Sequence, residues 1–259
     1  MMDRAFPLCC IKKRLFILQK GESSMNSFNN EMAVSRGLSI NMPGLMKDIY
    51  TWMAIALLIT GFTAYTVYTS PVLLGIFAGT KIGMWGLLIA TIALVWHLSA
   101  AIGRMSLKKA AAMFLVYSIM NGLMLASVFV VYTMTSIASV FFITAGTFAV
   151  MSVYGTVTKT DLSRMGSICL MALFGIILAT VVNFFFDNTM LELIISYAGI
   201  LIFVGLTAYD TQKIRRIAET HDTGATDEGQ KIAILGALTL YLDFINLFLY
   251  MLRIFGDRK

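Results

Sequence analysis

The chain has 259 residues, 58% of them hydrophobic and 13% charged, and a net charge of +6; its mean hydropathy is +0.81. Soluble domains carry about 25% charged residues, so this composition excludes a soluble globular protein. The positive charge is dispersed along the flanks of apolar runs, which argues against a nucleic-acid partner, and the three cysteines form neither a disulfide framework nor a metal-ligand spacing.

Residues 1–24 resemble nothing that follows. Their short apolar pieces are interrupted by Lys12, Lys13 and Arg14, so they do not make a signal peptide. They are read as an extension upstream of a translation start at Met25; the alternative is a basic amphipathic segment lying on the inner leaflet. Residues 25–48 are polar and rich in Asn and Ser, and complete a flexible N-terminal segment over 1–48.

From there the chain is a series of apolar runs. A helical span needs about 20 apolar residues, and seven runs qualify: 49–69, 82–103, 110–132, 136–157, 166–186, 191–212 and 232–254. With three prolines in the chain and no alternating ~10-residue segments, an outer-membrane barrel is excluded. The expected architecture is an all-α integral membrane protein, a seven-helix bundle over 49–256. Its partner is the lipid bilayer, and the expected location is a cell membrane.

Basic residues set the orientation. The segment before the first span and the loops after spans 2, 4 and 6 hold sixteen Lys and Arg, and the opposite side holds four. Positive charge collects on the cytoplasmic side, which places the N-terminus inside and the C-terminus outside. Arg253, Arg258 and Lys259 conflict with that assignment, and a last segment that fails to cross would remove the conflict.

Polar exceptions within the spans follow in order. His97 lies one heptad before Arg104 and reads as a hydrogen-bonding residue; with His221 far away, no zinc or haem site is expected. Arg104 ends span 2, where it is either a snorkelling anchor or the salt-bridge partner of Asp210 at the same membrane face. Asn121 and Asn183 read as interhelical hydrogen bonders.

Asp210 closes the sixth run and Asp243 stands inside the seventh, followed by Asn246 and Tyr250 on the same helical face. An acid in a span costs roughly 2.5–3.5 kcal/mol on insertion scales, so such residues face the bundle interior and mark a site.

The segments Ala208-Tyr-Asp-Thr-Gln-Lys-Ile214 and Leu240-Tyr-Leu-Asp-Phe-Ile-Asn-Leu-Phe248 closely resemble the Bax inhibitor family, the transmembrane Bax-inhibitor-motif proteins. Leu115-Val-Tyr-Ser-Ile-Met-Asn-Gly122 is similar to that family's third span, and the resemblance covers roughly residues 45–256. The loop 218–231 looks longer than in compact bacterial members. The resemblance implies a central last helix wrapped by two three-helix layers. It also implies a pH-sensitive gate on a calcium-leak path, formed by Asp210 and Asp243 and latched by Arg104. Eukaryotic relatives restrain cell death, a role nothing in this bacterial-sized chain supports.

Chemistry points the same way. Two carboxylates in a partly dehydrated site bind one proton between them and titrate as a coupled pair. Calcium takes 6–8 oxygens, so Asp210 and Asp243 with carbonyls and water would give a weak, transient site, as a leak requires. No other cofactor is expected.

Three other readings compete. Intramembrane aspartyl proteases also carry a Tyr-Asp and a second Asp on successive spans. They need Gly-x-Gly-Asp at the second position, where this chain has Leu240-Tyr-Leu-Asp243, so an enzyme is not expected. A non-conducting protein that modulates another membrane protein, such as a protease, is the second reading. A proton-coupled carrier is the third, and would need a substrate pocket that the sequence does not show.

Overall fold

The computed structural model describes residues 42–77, 81–220 and 226–259. In chain order they form α1 (Met42–Thr69), α2 (Pro71–Phe77), α3 (Lys81–Ala101), α4 (Leu107–Val131), α5 (Met134–Val157), α6 (Ser163–Phe186), α7 (Thr189–Thr220) and α8 (Asp227–Phe255). A single 3-10 turn, Ile102–Arg104, extends α3. Every one of these except α2 is long and apolar enough to cross a membrane, seven in all.

The seven expected spans are all present, and most are longer than their apolar runs. α1 begins at Met42, so the last seven residues of the expected N-terminal segment are helical. Pro43 in its first turn removes an N–H that the helix would leave unbonded anyway. The rest of that segment, with its upstream-extension reading, lies outside the described residues, as does His221. Both ends of the long loop expected over 218–231 are helical: α7 runs to Thr220 and α8 starts at Asp227. Thr226 caps α8 by accepting from Gly229 N at 3.2 Å, and Asp227 and Glu228 complement the positive end of the helix dipole.

Two groups of three long helices flank α8. α4 packs on α1 and α3, while α7 packs on α5 and α6. α8 lies between the groups and touches α1, α4, α5 and α7. Of its most apolar stretch 83% is buried, against 22% for α6, whose surface is left to the lipid. The last helix is therefore central.

Small residues allow this closeness, since membrane helices lack a hydrophobic drive and associate through backbone approach. A Cβ at Gly122 would meet Thr63 Cβ at 2.6 Å and Thr60 O at 2.7 Å, so α4 lies directly on the α1 backbone. Gly155 likewise lets α5 reach the Ala208 carbonyl of α7.

The last helix, α8, is long enough to cross completely. Its 29 residues make a rod of about 43 Å, against a hydrocarbon core of about 30 Å. The three basic residues at its end, which sit on the wrong side by charge, are all engaged. Arg253 lies 3.8 Å and Arg258 4.0 Å from the Glu192 carboxylate. Lys259 Nζ donates to Phe129 O at 2.8 Å and to the Tyr68 hydroxyl at 3.0 Å. The tail also pairs along its backbone with the α4–α5 turn: Thr133 N donates to Asp257 O and Lys259 N to Val131 O. Their charge is thus taken up by the protein at that end of the bundle.

Candidate functional site

Two contacts set the register between α7 and α8. At one end Gly199 faces Tyr250, where an added Cβ would lie 2.8 Å from the ring. At the other, a Cβ on Gly236 would lie 3.5 Å from Ile214. The helices run antiparallel between these points. On α8 the stripe Gly236, Asp243, Tyr250 recurs every seven residues; on α7 Gly199, Phe203, Leu206, Asp210 and Ile214 share a face. Both aspartates therefore stand on the seam.

The stacked rings of Phe203 and Tyr250, 5.9 Å apart at 28°, fix the pairing more closely. Asp210 is one heptad after Phe203 and Asp243 one heptad before Tyr250. In an antiparallel pair those steps run the same way along the axis, so the register sets Asp210 opposite Asp243. Asp210 is 1% exposed and Asp243 0%.

The surroundings are polar for the middle of a membrane protein. Asn246 is fully buried and its amide donates to Leu242 O at 2.7 Å. Tyr250 is buried too, beneath the Arg253 guanidinium 5.9 Å from its centroid. The polar face expected on the last helix is thus wholly inside the bundle. Beside Asp210, Thr211 Oγ1 lies 3.1 Å from Ser152 Oγ, which lies 2.5 Å from Tyr50 OH. On the side of α8 turned to α1 and α4, the Tyr241 hydroxyl lies 2.8 Å from Thr60 Oγ1.

Arg104 is not part of this cluster. It is exposed on the 3-10 turn after α3 and makes no ion pair with either aspartate among the described residues. α3 packs chiefly on α4 and not on α7, so its end emerges on the outside of the bundle. The salt bridge that shared membrane depth left open does not form here; depth along the membrane says nothing of azimuth around the bundle. His97 is also exposed, and among the described residues no group of three His, Cys, Asp or Glu side chains could hold a metal. Asn183 is buried, but its Oδ1 accepts from Asn188 N at 3.0 Å, tying the α6–α7 turn and not a distant helix.

Two residues near the seam escaped the sequence reading. Gln212 is 4% exposed; it accepts from Leu162 N at 2.9 Å and donates to Thr160 O at 2.8 Å, clamping the α5–α6 loop onto α7 two residues past Asp210. Arg215 reinforces the clamp by donating to Thr156 O, and Arg216 by bonding Asp161 at 2.9 Å. Ser163, through its hydroxyl and backbone N–H, and then Arg216 hold the Asp161 carboxyl down at about 2. Glu192 is the second omission. An acid near a span end carried the same signal as the aspartates.

Fold and site together define a seven-helix membrane protein with two buried aspartates on the seam between α7 and its central helix. The family described as "Inhibitor of apoptosis-promoting Bax1" matches residues 42–259. Among curated proteins, the chain is 48% identical over 214 residues to the Escherichia coli K12 "Inner membrane protein YbhL", covering 83% of this chain and 92% of that protein. It is 42% identical to an uncharacterized protein of Borreliella burgdorferi, with the same coverage, and 40% identical to the uncharacterized protein RP147 of Rickettsia prowazekii, covering 83% and 89%. The chain belongs to the Bax inhibitor family.

Proposed function

We propose that this protein is a pH-sensitive calcium-leak pathway of a bacterial inner membrane, with its N-terminus in the cytoplasm. The observation that carries this reading is the burial of Asp210 and Asp243 opposite one another on the seam of the central helix. Two carboxylates so placed cannot both ionise cheaply, and they hold a proton between them as a coupled pair. Gain or loss of that proton changes the charge on the face where α8 packs, which is a switch of the kind protonation drives elsewhere. The same oxygens, with Asn246 and water, form a weak resting place for a divalent cation, and weak binding suits an ion that must leave again.

No enzymatic step is assigned to the pair, and no cofactor is invoked. In the conformation described here Arg104 is an interfacial anchor; a latch role requires a second conformation in which the end of α3 turns inward. The location is supported by the similarity to a protein named for the inner membrane. The orientation is supported by the distribution of Lys and Arg.

The test is calcium flux from proteoliposomes between about pH 6 and pH 8, for the wild type and Asp243→Asn. The expected result is a flux that varies with pH in the wild type and loses or displaces that response in the variant. No flux above empty liposomes at any pH refutes the leak, and leaves a non-conducting regulator of another membrane protein as the reading to pursue.

A further inference from the structure

α1 and α5 face each other across a groove of 460 Å³ whose floor is Phe244 of α8. Each wall is fixed to its own three-helix group by a glycine. Gly122 of α4 lies on Thr60 and Thr63 of α1, and Gly155 of α5 lies on Ala208 of α7. Along the groove the two walls do not pack on each other, and both rest on α8.

Hydrogen bonds tie the walls together at opposite ends. At one end the tail after α8 makes several. Lys259 Nζ donates to the Tyr68 hydroxyl of α1 at 3.0 Å and to Phe129 O of α4 at 2.8 Å. Lys259 N donates to Val131 O at 2.9 Å and Thr133 N to Asp257 O at 3.0 Å. Asp257 N donates to Ser136 Oγ of α5 at 2.9 Å.

The other end carries a chain of hydroxyls. Tyr50 Oη lies 2.5 Å from Ser152 Oγ, which lies 3.1 Å from Thr211 Oγ1 of α7. Thr211 directs its hydrogen to Thr207 O at 2.7 Å, so it accepts from Ser152, and Ser152 in turn accepts from Tyr50. Tyr50 is therefore the donor that starts the chain, and losing its hydroxyl leaves the other bonds in place. Tyr50 stands eighteen residues before Tyr68, about 27 Å along α1. Ser152 stands sixteen residues after Ser136, about 24 Å along α5. One bond thus crosses from α1 to α5 where the tail makes several. Beside it Ile49 of α1 and Ile214 of α7 converge on Gly236, an apolar contact that can slide.

We propose that this seam is a hinged side opening: the tail is its hinge, and the Tyr50 hydroxyl is the clasp that keeps the far end shut. Without the clasp the ends of α1 and α5 part over α8 while the tail end stays joined. The parting would uncover Ser152 and Thr211, the residue after Asp210, and give water a side approach toward the buried pair. The clasp stands on its own geometry and does not depend on the calcium reading.

Pairs of spin labels on the full chain in lipid nanodiscs test it, with Cys9, Cys10 and Cys169 replaced by serine. A pair at Thr51 and Val153 reads the clasp end, and a pair at Tyr65 and Phe142 reads the tail end; all four positions are exposed. Tyr50→Phe should raise the population with lengthened Thr51–Val153 distances about fivefold over wild type, the effect of losing one net hydrogen bond. The Tyr65–Phe142 distribution should not change. Ser152→Ala breaks the same bond from the opposite wall and should lengthen the same pair. The double variant should open no further than Ser152→Ala alone, because a shared bond is lost only once. An unchanged Thr51–Val153 distribution in either single variant, equal widening at both ends, or additive opening in the double variant would each overturn the proposal.

Discussion

Replacing Gln212 by Leu should free the α5–α6 loop while leaving the helices in place. The side chains are close in volume, so no cavity term is added, and the change is confined to two hydrogen bonds: Leu162 N to Oε1 at 2.9 Å and Nε2 to Thr160 O at 2.8 Å. The two losses are unequal. Thr160 is exposed and its carbonyl can turn to water, whereas Leu162 is 5% exposed and its N–H would be left buried. An unsatisfied buried donor costs about 1–3 kcal/mol and a net exchangeable bond about 1, so the loop should lose about 2–4 kcal/mol of local stability. Arg215 and Arg216 still hold Thr156 and Asp161, which keeps the opening local. Hydrogen exchange read at the Leu162 amide by mass spectrometry in detergent should then quicken by a factor of at least about 30, since 2 kcal/mol corresponds to that ratio. The α8 core amides should be unchanged. An unaltered rate at Leu162, or a matching rise throughout α8, would refute the clamp as described.

Two other outcomes are expected. Glu192→Gln should lower the thermal midpoint in detergent far more than Arg258→Gln. It removes the carboxylate beside the Arg253 guanidinium, whose side chain is 7% exposed, and breaking such a buried pair costs up to about 3–5 kcal/mol; Arg258 is 57% exposed and its pair is worth about 1 kcal/mol or less. Similar midpoints would remove the tail clamp. Asp161 concerns pH: its carboxyl is lowered from 3.8 to about 2, so its contribution is complete above pH 3.8 and is lost only as pH falls through about 2. Asp161→Asn should therefore leave the shape of any flux response between about pH 6 and pH 8 unchanged, and a displaced midpoint in flux measurements would show that the loop takes part in sensing.

Membrane class, seven helices and the two carboxylates could be read from the chain because each rests on local chemistry. Backbone groups in lipid must be satisfied within a span, so apolar runs become helices whatever surrounds them, and an acid within one must turn inward. The inward face of α8 followed from the spacing of Asp243, Asn246 and Tyr250 for the same reason. What spacing could not supply was the packing of one helix against another. Arg104 and Asp210 end their spans at one membrane face, yet α3 docks on α4 and carries Arg104 outward. Asn183 was expected to reach another helix and instead ties its own turn. Gln212 acquires its role only where the α5–α6 loop lies against α7. Arg253, Arg258 and Lys259 contradict the charge rule taken alone; Glu192 and the carbonyls of the α4 end resolve the contradiction only once the tail has folded back. The sequence by itself determined which residues must avoid lipid. The tertiary structure decided which of them meet, since azimuth and register arise from close contacts such as Gly199 on Tyr250 and Gly155 on Ala208, between residues far apart in the chain.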